Sequence, residues 1–242
     1  MPAITPSPVD KNPRTIAEMF DGIARRYDLL NRLLSAGLDR GWRARAVAAL
    51  DLDGDETVLD LCTGTADLAL ALCLPGGARR VVGVDFAAQM LRHGQAKLVR
   101  HQVDARICLL RGDAVHIPLA DQSVDAVTIG FGIRNVVAPP STLDEMHRVM
   151  RPGGRLAVLE FGEPRFPPLR AAYLWYFRRV LPLVGRVVSR HHSAYSYLPA
   201  SVGGFYTPPV FCQLLETAGF TAVRAVPLAG GIVYLYAGTK PL

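Results

Sequence analysis

The sequence has only four cysteines in 242 residues, and no two of them form a Cys-x-x-Cys pair. Cys62, Cys73, Cys108 and Cys212 lie mostly within apolar runs. This spacing argues against a disulfide framework and against a zinc site, and it is typical of buried thiols in a reducing compartment. We therefore expect a protein that binds no metal.

The sequence also lacks a segment that would span a membrane or direct export. Its longest run without a charged residue, His191–Leu215, is interrupted by serine, proline, glycine and histidine, whereas a spanning helix needs about 20 mostly apolar residues. Residues 1–13 are rich in proline and lack the basic-then-apolar order of a secretory signal. We expect a disordered leader on a cytoplasmic protein.

Acidic residues are missing between Glu163 and Glu216, and the six arginines of that segment account for the whole net charge of +6. An apolar stripe at helical spacing predicts a basic amphipathic helix over 167–190. Such a helix suits peripheral contact with an anionic surface at the inner face of a membrane, and a lid packed on the domain is the alternative. The arginines are Arg165, Arg170, Arg178, Arg179, Arg186 and Arg190.

The rest of the chain has the composition of a folded globular protein, with 50% hydrophobic residues, 20% charged residues and a mean hydropathy of +0.20. Short β-branched runs alternate with helical patterns, which predicts a parallel sheet with helices on both faces. The expected fold is a doubly wound α/β domain over 14–242, with a mostly parallel seven-stranded sheet, an N-terminal helical cap at 14–50 and a lid at 165–207 that combines the basic helix with a loop over 191–207. The predicted strands are Thr57–Leu61, Val81–Asp85, Ile107–Leu110, Val124–Phe131 and Arg155–Phe161, with a closing hairpin of Thr221–Pro227 and Gly231–Gly238. The predicted helices after the cap are Ala66–Leu74, Ala87–Arg100, Ser141–Met150 and 208–218.

Two acidic strand ends indicate a nucleoside site. Asp60 lies in the first strand, Gly64 lies in the turn that follows it, and Asp85 ends the second strand. Open α/β sheets bind ligands at the carboxyl ends of their strands, and a carboxylate there can accept both hydroxyls of a ribose. Asp113, after the third strand, is placed for the amine of an adenine.

The turn after the first strand lacks the glycines that would distinguish a dinucleotide site from other nucleoside sites. A dinucleotide site needs Gly-x-Gly-x-x-Gly so that a pyrophosphate can sit on the helix N-terminus, and this turn has only Gly64 in that frame. S-adenosylmethionine has no phosphate, and its positively charged end suits an acidic rim that includes Asp60. The alternative is an ordinary strand–turn–helix junction with a buried aspartate.

Several longer motifs give a more specific indication. From about Met19 to Gly238 the chain resembles the ubiquinone/menaquinone biosynthesis C-methyltransferases, which are class I S-adenosylmethionine-dependent enzymes. The matching motifs are YDLLN at 27–31, SAGLDRGWR at 35–43, FGIRNV at 131–136, RVMRPGGR at 148–155, LEF at 159–161 and YSYL at 195–198.

The resemblance implies methylation of a ring carbon of a prenylated quinol. Gly130 stands where many relatives have a serine contact. Ala66 replaces the usual glycine, and its methyl group is expected near the carboxylate end of the cofactor. The implied cofactor contacts are Thr65, Asp85, Asp113 and Ala114.

The loop after the fourth strand carries the candidate catalytic residues. Arg134 is too basic to act as an ordinary base, but it can stabilise a phenolate or orient a water. Asn135 can hydrogen-bond the other quinol oxygen, and Tyr195 and Tyr197 are candidate wall residues of the ring pocket. The alternatives are a salt-bridging arginine and packed loop tyrosines, and Glu160 is at least as well explained by a structural role.

Three other functions stay open at this stage. A nucleic-acid methyltransferase would agree with the pI of about 9.4, but the place of its usual Asn-Pro-Pro-aromatic turn has Gly130-Phe131-Gly132-Ile133. We therefore expect no nucleic-acid partner, although a small-molecule methyltransferase of the same fold and a non-catalytic cofactor-binding protein are further alternatives. We favour demethylmenaquinol as the acceptor, with 2-methoxy-6-polyprenyl-1,4-benzoquinol second. The sequence carries no signal for an oligomeric state.

Overall fold

A seven-stranded sheet forms the centre of the protein. The computed structural model describes residues 12–164, 166–176, 179, 197 and 200–242. The strand order is β3-β2-β1-β4-β5-β7-β6, with β7 antiparallel to both of its neighbours and the other pairs parallel. The strands are β1 Thr57–Leu61, β2 Arg80–Asp85, β3 Ile107–Arg111, β4 Val124–Gly130, β5 Met150–Phe161, β6 Thr221–Leu228 and β7 Val233–Thr239. The predicted doubly wound sheet and its closing hairpin are confirmed.

Seven α-helices with both ends in the described part of the chain surround this sheet. They are α1 Pro13–Leu34, α2 Asp39–Ala49, α3 Asp67–Leu72, α4 Ala88–Arg100, α5 Pro139–Val149, α6 Pro167–Trp175 and α7 Pro208–Thr217. Short 3₁₀ turns occupy Ile133–Asn135 and Ala229–Gly231. The two sides of the sheet are apolar, because β1, β4, β5 and β7 bury most of their residues and apolar side chains of the covering helices pack on them.

The order of the strands brings the ends of β1, β2 and β4 together at one edge. β1 is central and pairs with β2 on one side and β4 on the other. The chain therefore reverses its direction of winding at β1, and the crevice at such a switch point is where open α/β sheets bind ligands. Helix α1 packs against α4 and reaches over this edge.

The fifth strand begins earlier than its sequence indicates. Pro152-Gly153-Gly154 predicts a helix end and a turn, yet β5 starts at Met150, and the ladder to β4 resumes at Arg155 after a bulge. Gly153 has a φ of +77°, which favours glycine, and its N–H donates to the Lys240 carbonyl at 3.0 Å. Backbone pairing with the C-terminal segment holds this region, and no local sequence signal announces it.

The lid segment departs from its prediction in the part that the structure describes. The loop predicted over 191–207 is wrong for residues 197 and 200–203, which are helical. The basic helix predicted over 167–190 is described only at its start, where α6 forms. Most of the rest of that stretch, His191, His192 and Tyr195 lie outside the described residues, as do residues 1–11 of the predicted leader.

Two expectations from composition are also resolved for the described residues. No helix among them is long and apolar enough to cross a membrane. All four cysteines are free, but Cys108 is exposed rather than buried. The sequence placed Cys108 in an apolar run, and its side chain projects to the solvent side of β3, near the edge of the sheet.

Candidate active site

A cavity of about 110 Å³ opens at the ends of β1, β2 and β4, and Asp85 is its central acidic group. One oxygen of Asp85 accepts the Gly64 N–H at 2.8 Å and the other accepts the Ala87 N–H at 2.8 Å. These two bonds fix the carboxylate. A carboxylate has about four acceptor positions, so acceptor capacity remains toward the cavity that Asp85 lines.

Four further residues predicted to contact a cofactor line the same cavity, namely Gly64, Asp113, Ala114 and Gly130. Asp113 accepts the Val115 N–H at 3.1 Å through one oxygen, while Ala114 and Gly130 also lie on the wall. A Cβ on Gly130 would lie 3.1 Å from Leu68 Cδ2. The glycine therefore relieves crowding in the wall.

The charge around this cavity is negative. Burial raises the pKa of the Cys62 thiol well above its usual range, and the carboxylates of Asp85, Asp60, Glu160 and Asp113 raise it further. Burial also raises the pKa of Asp85. Such a site favours a cation and opposes a phosphate, which agrees with a sulfonium cofactor and disagrees with a dinucleotide.

Two of the predicted cofactor residues lie behind the wall. Asp60 is buried and accepts the hydroxyls of Thr63 and Thr128 at 2.6 and 2.8 Å. It does not line either cavity described here, so the prediction of Asp60 as part of the rim is not met, and the side chain anchors the turn instead. Thr65 is also buried, and its hydroxyl donates to Asp28 of α1 at 2.5 Å.

Ala66 adopts the left-handed conformation, with a φ of +65°. This explains why a glycine is expected there. Its methyl group is fully buried and lies 3.4 Å from where a Cβ on Gly94 would be, on α4. The methyl group therefore packs against α4 and does not line the smaller cavity.

A second, larger cavity of about 400 Å³ lies between α1, α2 and α6. Its wall is mostly apolar and aromatic. Phe131 and Phe161 lie with ring centroids 4.7 Å apart, and Trp42 lies 6.0 Å from Phe131. The cavity is therefore suited to an aromatic ring with a hydrocarbon substituent.

Arg134 is one of three charged residues that the structure describes in this apolar wall, and the other two, Asp39 and Arg43, pair with each other at 2.6 Å. Its Nη1 lies 2.6 Å from Glu160 Oε1 and donates to the Phe131 carbonyl at 2.6 Å. Its Cζ lies 5.2 Å from the centre of the Phe161 ring. The salt-bridging alternative from the sequence is thus realised, yet Arg134 Nε is buried without a hydrogen-bond partner among the described residues.

Asn135, which follows Arg134, forms a hydrogen bond with Tyr197 of the lid. Asn135 lines the smaller cavity, and its Oδ1 accepts the Tyr197 hydroxyl at 3.0 Å. Tyr197 lines the larger cavity. The sequence predicts that Arg134 and Asn135 contact the two oxygens of one quinol. In the structure the two residues line different cavities, Arg134 the larger and Asn135 the smaller.

The two cavities share three wall residues, Phe20, Tyr27 and Phe131. Burial raises the pKa of the Tyr27 phenol, which keeps it neutral at physiological pH. The sequence places Phe20 only in the predicted helical cap and Tyr27 in that cap and in the motif at 27–31, with no functional role for either. A phenol on the apolar stripe of a helix is a weak signal of a site, because buried tyrosines are common in cores.

The comparisons with known proteins agree with this arrangement. A family model described as the ubiE/COQ5 methyltransferase family matches residues 9–240. The chain belongs to this family. The ubiquinone/menaquinone biosynthesis C-methyltransferase UbiE of Syntrophotalea carbinolica is 47% identical over 224 residues, which are 93% of each chain. The demethylmenaquinone methyltransferase of Mycobacterium marinum is 44% identical over 233 residues, which are 96% of each chain.

Solved structures show the same fold at low sequence identity. A SAM-dependent methyltransferase from Thermotoga maritima has a TM-score of 0.64 at 18% identity, with 92% of this chain and 98% of that chain covered. The [4+2]-cyclase SpnF has a TM-score of 0.67 at 15% identity, with 98% of each chain covered. The family, the class I methyltransferase fold and the methyltransferase class predicted from the sequence are confirmed.

Proposed function

We propose that the protein transfers a methyl group from S-adenosylmethionine to a ring carbon of demethylmenaquinol, with release of S-adenosylhomocysteine and of the proton that the ring carbon carried. The observation that carries this proposal is the junction of two unlike cavities. The smaller one is acidic around Asp85 and Asp113, and the larger one is apolar and holds Arg134. The two meet at Tyr27 and Phe131, so a donor in one and a ring in the other come together there.

The residues of the smaller cavity fit the cofactor by charge and by hydrogen bonding. Asp85 has acceptor positions left for the two hydroxyls of a ribose, and Asp113, with Ala114 beside it, is suited to an adenine. When bound, S-adenosylmethionine supplies an electrophilic methyl group on a positively charged sulfur. The carboxylates around Cys62 favour that positive charge.

Arg134 activates the acceptor ring in this proposal. A quinol attacks through carbon more readily when a phenolic oxygen carries negative charge, and a permanently charged guanidinium stabilises that oxygen. Its Nη1 is held by Glu160, which leaves the buried Nε as a donor toward a ligand. One hydrogen bond to a charged group contributes about 1.5–3 kcal/mol.

The test is a methyl-transfer assay with labelled S-adenosylmethionine and two acceptors, demethylmenaquinol and 2-methoxy-6-polyprenyl-1,4-benzoquinol, each offered oxidised and reduced. We expect labelled product from the reduced naphthoquinol and none from the oxidised forms. Asp85→Asn should weaken cofactor binding at least about tenfold, whereas Asp104→Asn at an exposed position should not. Turnover with the benzoquinol alone would refute the proposed acceptor, and turnover with neither would refute the function.

We also infer that the entrance of the larger cavity contacts a membrane surface. Leu38 lines the cavity and is 53% exposed, so the apolar wall reaches the protein surface there. Helix α6 lines the cavity through Leu169 and Ala172 and carries the exposed side chains of Phe166 and Trp175 near its ends. A prenylated substrate resides in a bilayer, and an exposed apolar rim beside Arg170, in a segment of the sequence that has six arginines and no acidic residue, favours binding to anionic lipid.

Co-sedimentation at moderate salt with vesicles of phosphatidylglycerol and phosphatidylcholine, compared with phosphatidylcholine alone, tests the membrane contact. We expect binding to the anionic vesicles and a loss of binding in Trp175→Ser. Val210→Ser, which changes an exposed side chain of α7, is the matched control. Absence of the wild-type protein from the anionic vesicle pellet would contradict this inference.

A further inference from the structure

A cluster of charged residues joins helix α1 to the turn of the smaller cavity. Lys97 of α4 is 9% exposed, and its Nζ lies 2.5 Å from Asp28 Oδ2 and 2.6 Å from Asp67 Oδ1. The other oxygen of Asp28 accepts the Thr65 hydroxyl at 2.5 Å. Asp28 thus connects a buried cation on one helix with a buried hydroxyl in the turn.

The turn at the end of this chain of contacts is the one that holds Asp85. Thr65 follows Gly64 directly, and the Gly64 N–H donates to the Asp85 carboxylate. A change in the position of Thr65 would therefore move a donor that fixes Asp85. The cluster lies outside the lining of the smaller cavity. Asp28 contacts the turn through Thr65, while Lys97 also pairs with Asp67, where α3 begins just after the turn.

Residues of α1 close to Asp28 form part of the walls of both cavities. Tyr27 precedes Asp28 and lines both cavities, while Leu30 and Asn31 line the larger one. Asp28 sits between these wall residues and the turn. The contact that orients the turn is therefore also the contact that seats the wall.

We propose that Asp28 and Lys97 are positioning residues that lock α1 onto the cofactor turn through Thr65. Cofactor binding and the seating of α1 are then one coupled event. The inference rests on the proposed function, because it takes S-adenosylmethionine as the ligand of that turn. It predicts that an occupied turn holds α1 more firmly and that a loosened α1 binds the cofactor more weakly.

Calorimetric titration with S-adenosylhomocysteine is the first test. Lys97→Met should weaken binding about fivefold or more, which is the lower range of typical coupling between sites. Asp28→Asn keeps an acceptor for Thr65 but loses the ion pair, so it should weaken binding less than Lys97→Met. Arg100→Met removes an exposed charge from the same helix and should bind as the wild type does.

A double-mutant cycle distinguishes a connected cluster from separate structural effects. If Lys97 acts through Thr65, the loss of affinity in Lys97→Met combined with Thr65→Val should be smaller than the product of the two single losses. Fully multiplicative losses would overturn the proposed route. If Lys97→Met does not fold, Asp28→Asn with Thr65→Val forms the same kind of cycle.

Hydrogen exchange gives a readout that general destabilisation would not reproduce. In the wild type, S-adenosylhomocysteine should slow amide exchange in residues 13–34, and this ligand effect should be lost in Lys97→Met and retained in Arg100→Met. A wild type that binds the ligand without any slowing in α1 would overturn this inference and leave the proposed function intact. A wild type that does not bind the ligand would overturn both.

Discussion

Replacement of Arg134 by alanine is expected to reduce stability as well as turnover, because Arg134 neutralises a carboxylate in the protein interior. Glu160 is 0% exposed and the Arg134 side chain is 7% exposed, with 2.6 Å between Nη1 and Oε1. Removing one partner of a buried ion pair typically costs about 3–5 kcal/mol. For a domain of this size, each kcal/mol lowers the unfolding temperature by about 2–4 °C, so we expect a fall of about 6–20 °C.

The assay combines scanning calorimetry with turnover measured well below the unfolding temperature. The control is Arg151→Ala, which removes a surface pair with Asp125 whose side chains are 49% and 29% exposed, and which should cost at most about 1 kcal/mol. The double variant Arg134→Met with Glu160→Gln removes both charges of this pair. It should regain most of the lost stability without regaining turnover. An unchanged unfolding temperature in Arg134→Ala would refute the buried pair, and wild-type turnover in the double variant would remove Arg134 from the reaction.

Two further perturbations concern residues behind and on the wall of the smaller cavity. Burial raises the pKa of Asp60 from 3.8 to about 6, so the folded protein holds more protons than the unfolded chain between these values. The free energy of unfolding should therefore fall by about 3 kcal/mol in total as the pH rises from about 3 to about 7, with about 2 kcal/mol of that between about pH 4 and about pH 6. Asp60→Asn should remove that part of the slope in denaturant titrations, and an identical slope would contradict the assignment. A Cβ on Gly132 would lie 2.4 Å from Cys62 Cβ, so Gly132→Ala should cost about 1–3 kcal/mol in thermal unfolding. Cys62 has a φ of +56°, so Cys62→Gly should rescue that variant, and a failure of rescue would show that the contact is not the cause.

The sheet and the cofactor end of the site could be predicted from the sequence because their signals are local. β1, β2 and β4 are short runs rich in apolar and β-branched residues, and Asp85 stands at the end of β2. Parallel strands buried on both faces give such runs, and their carboxyl ends share one edge. Asp85, Asp113 and Gly130 therefore follow from position in the chain together with the topology.

The surroundings of the catalytic candidates could not be predicted because they depend on contacts far apart in the chain. Arg134 and Glu160 are 26 residues apart, and Tyr197 is 62 residues from Asn135. Each of these side chains has many possible partners in a folded protein, and only the strand order selects one. The bulge that starts β5 at Met150 has the same origin, since it forms against a strand end and a C-terminal segment rather than from its own residues.

Helix α1 illustrates how a correct local prediction can leave function undetermined. Its apolar periodicity predicts which residues turn inward, and Tyr27 and Leu30 are among them. Periodicity does not say which surface the helix covers, and here that surface is the junction of two cavities. The buried member of this contact is Lys97, which is 9% exposed, whereas the Asp28 side chain is 38% exposed. A buried cation needs a carboxylate partner, but Lys97 lies on a helix about 70 residues after Asp28, so the pairing is set by the fold and not by the local sequence. The same contact stabilises the cap and, through Thr65, links it to the turn that we propose to hold the cofactor, so one pair of residues serves both stability and the proposed function.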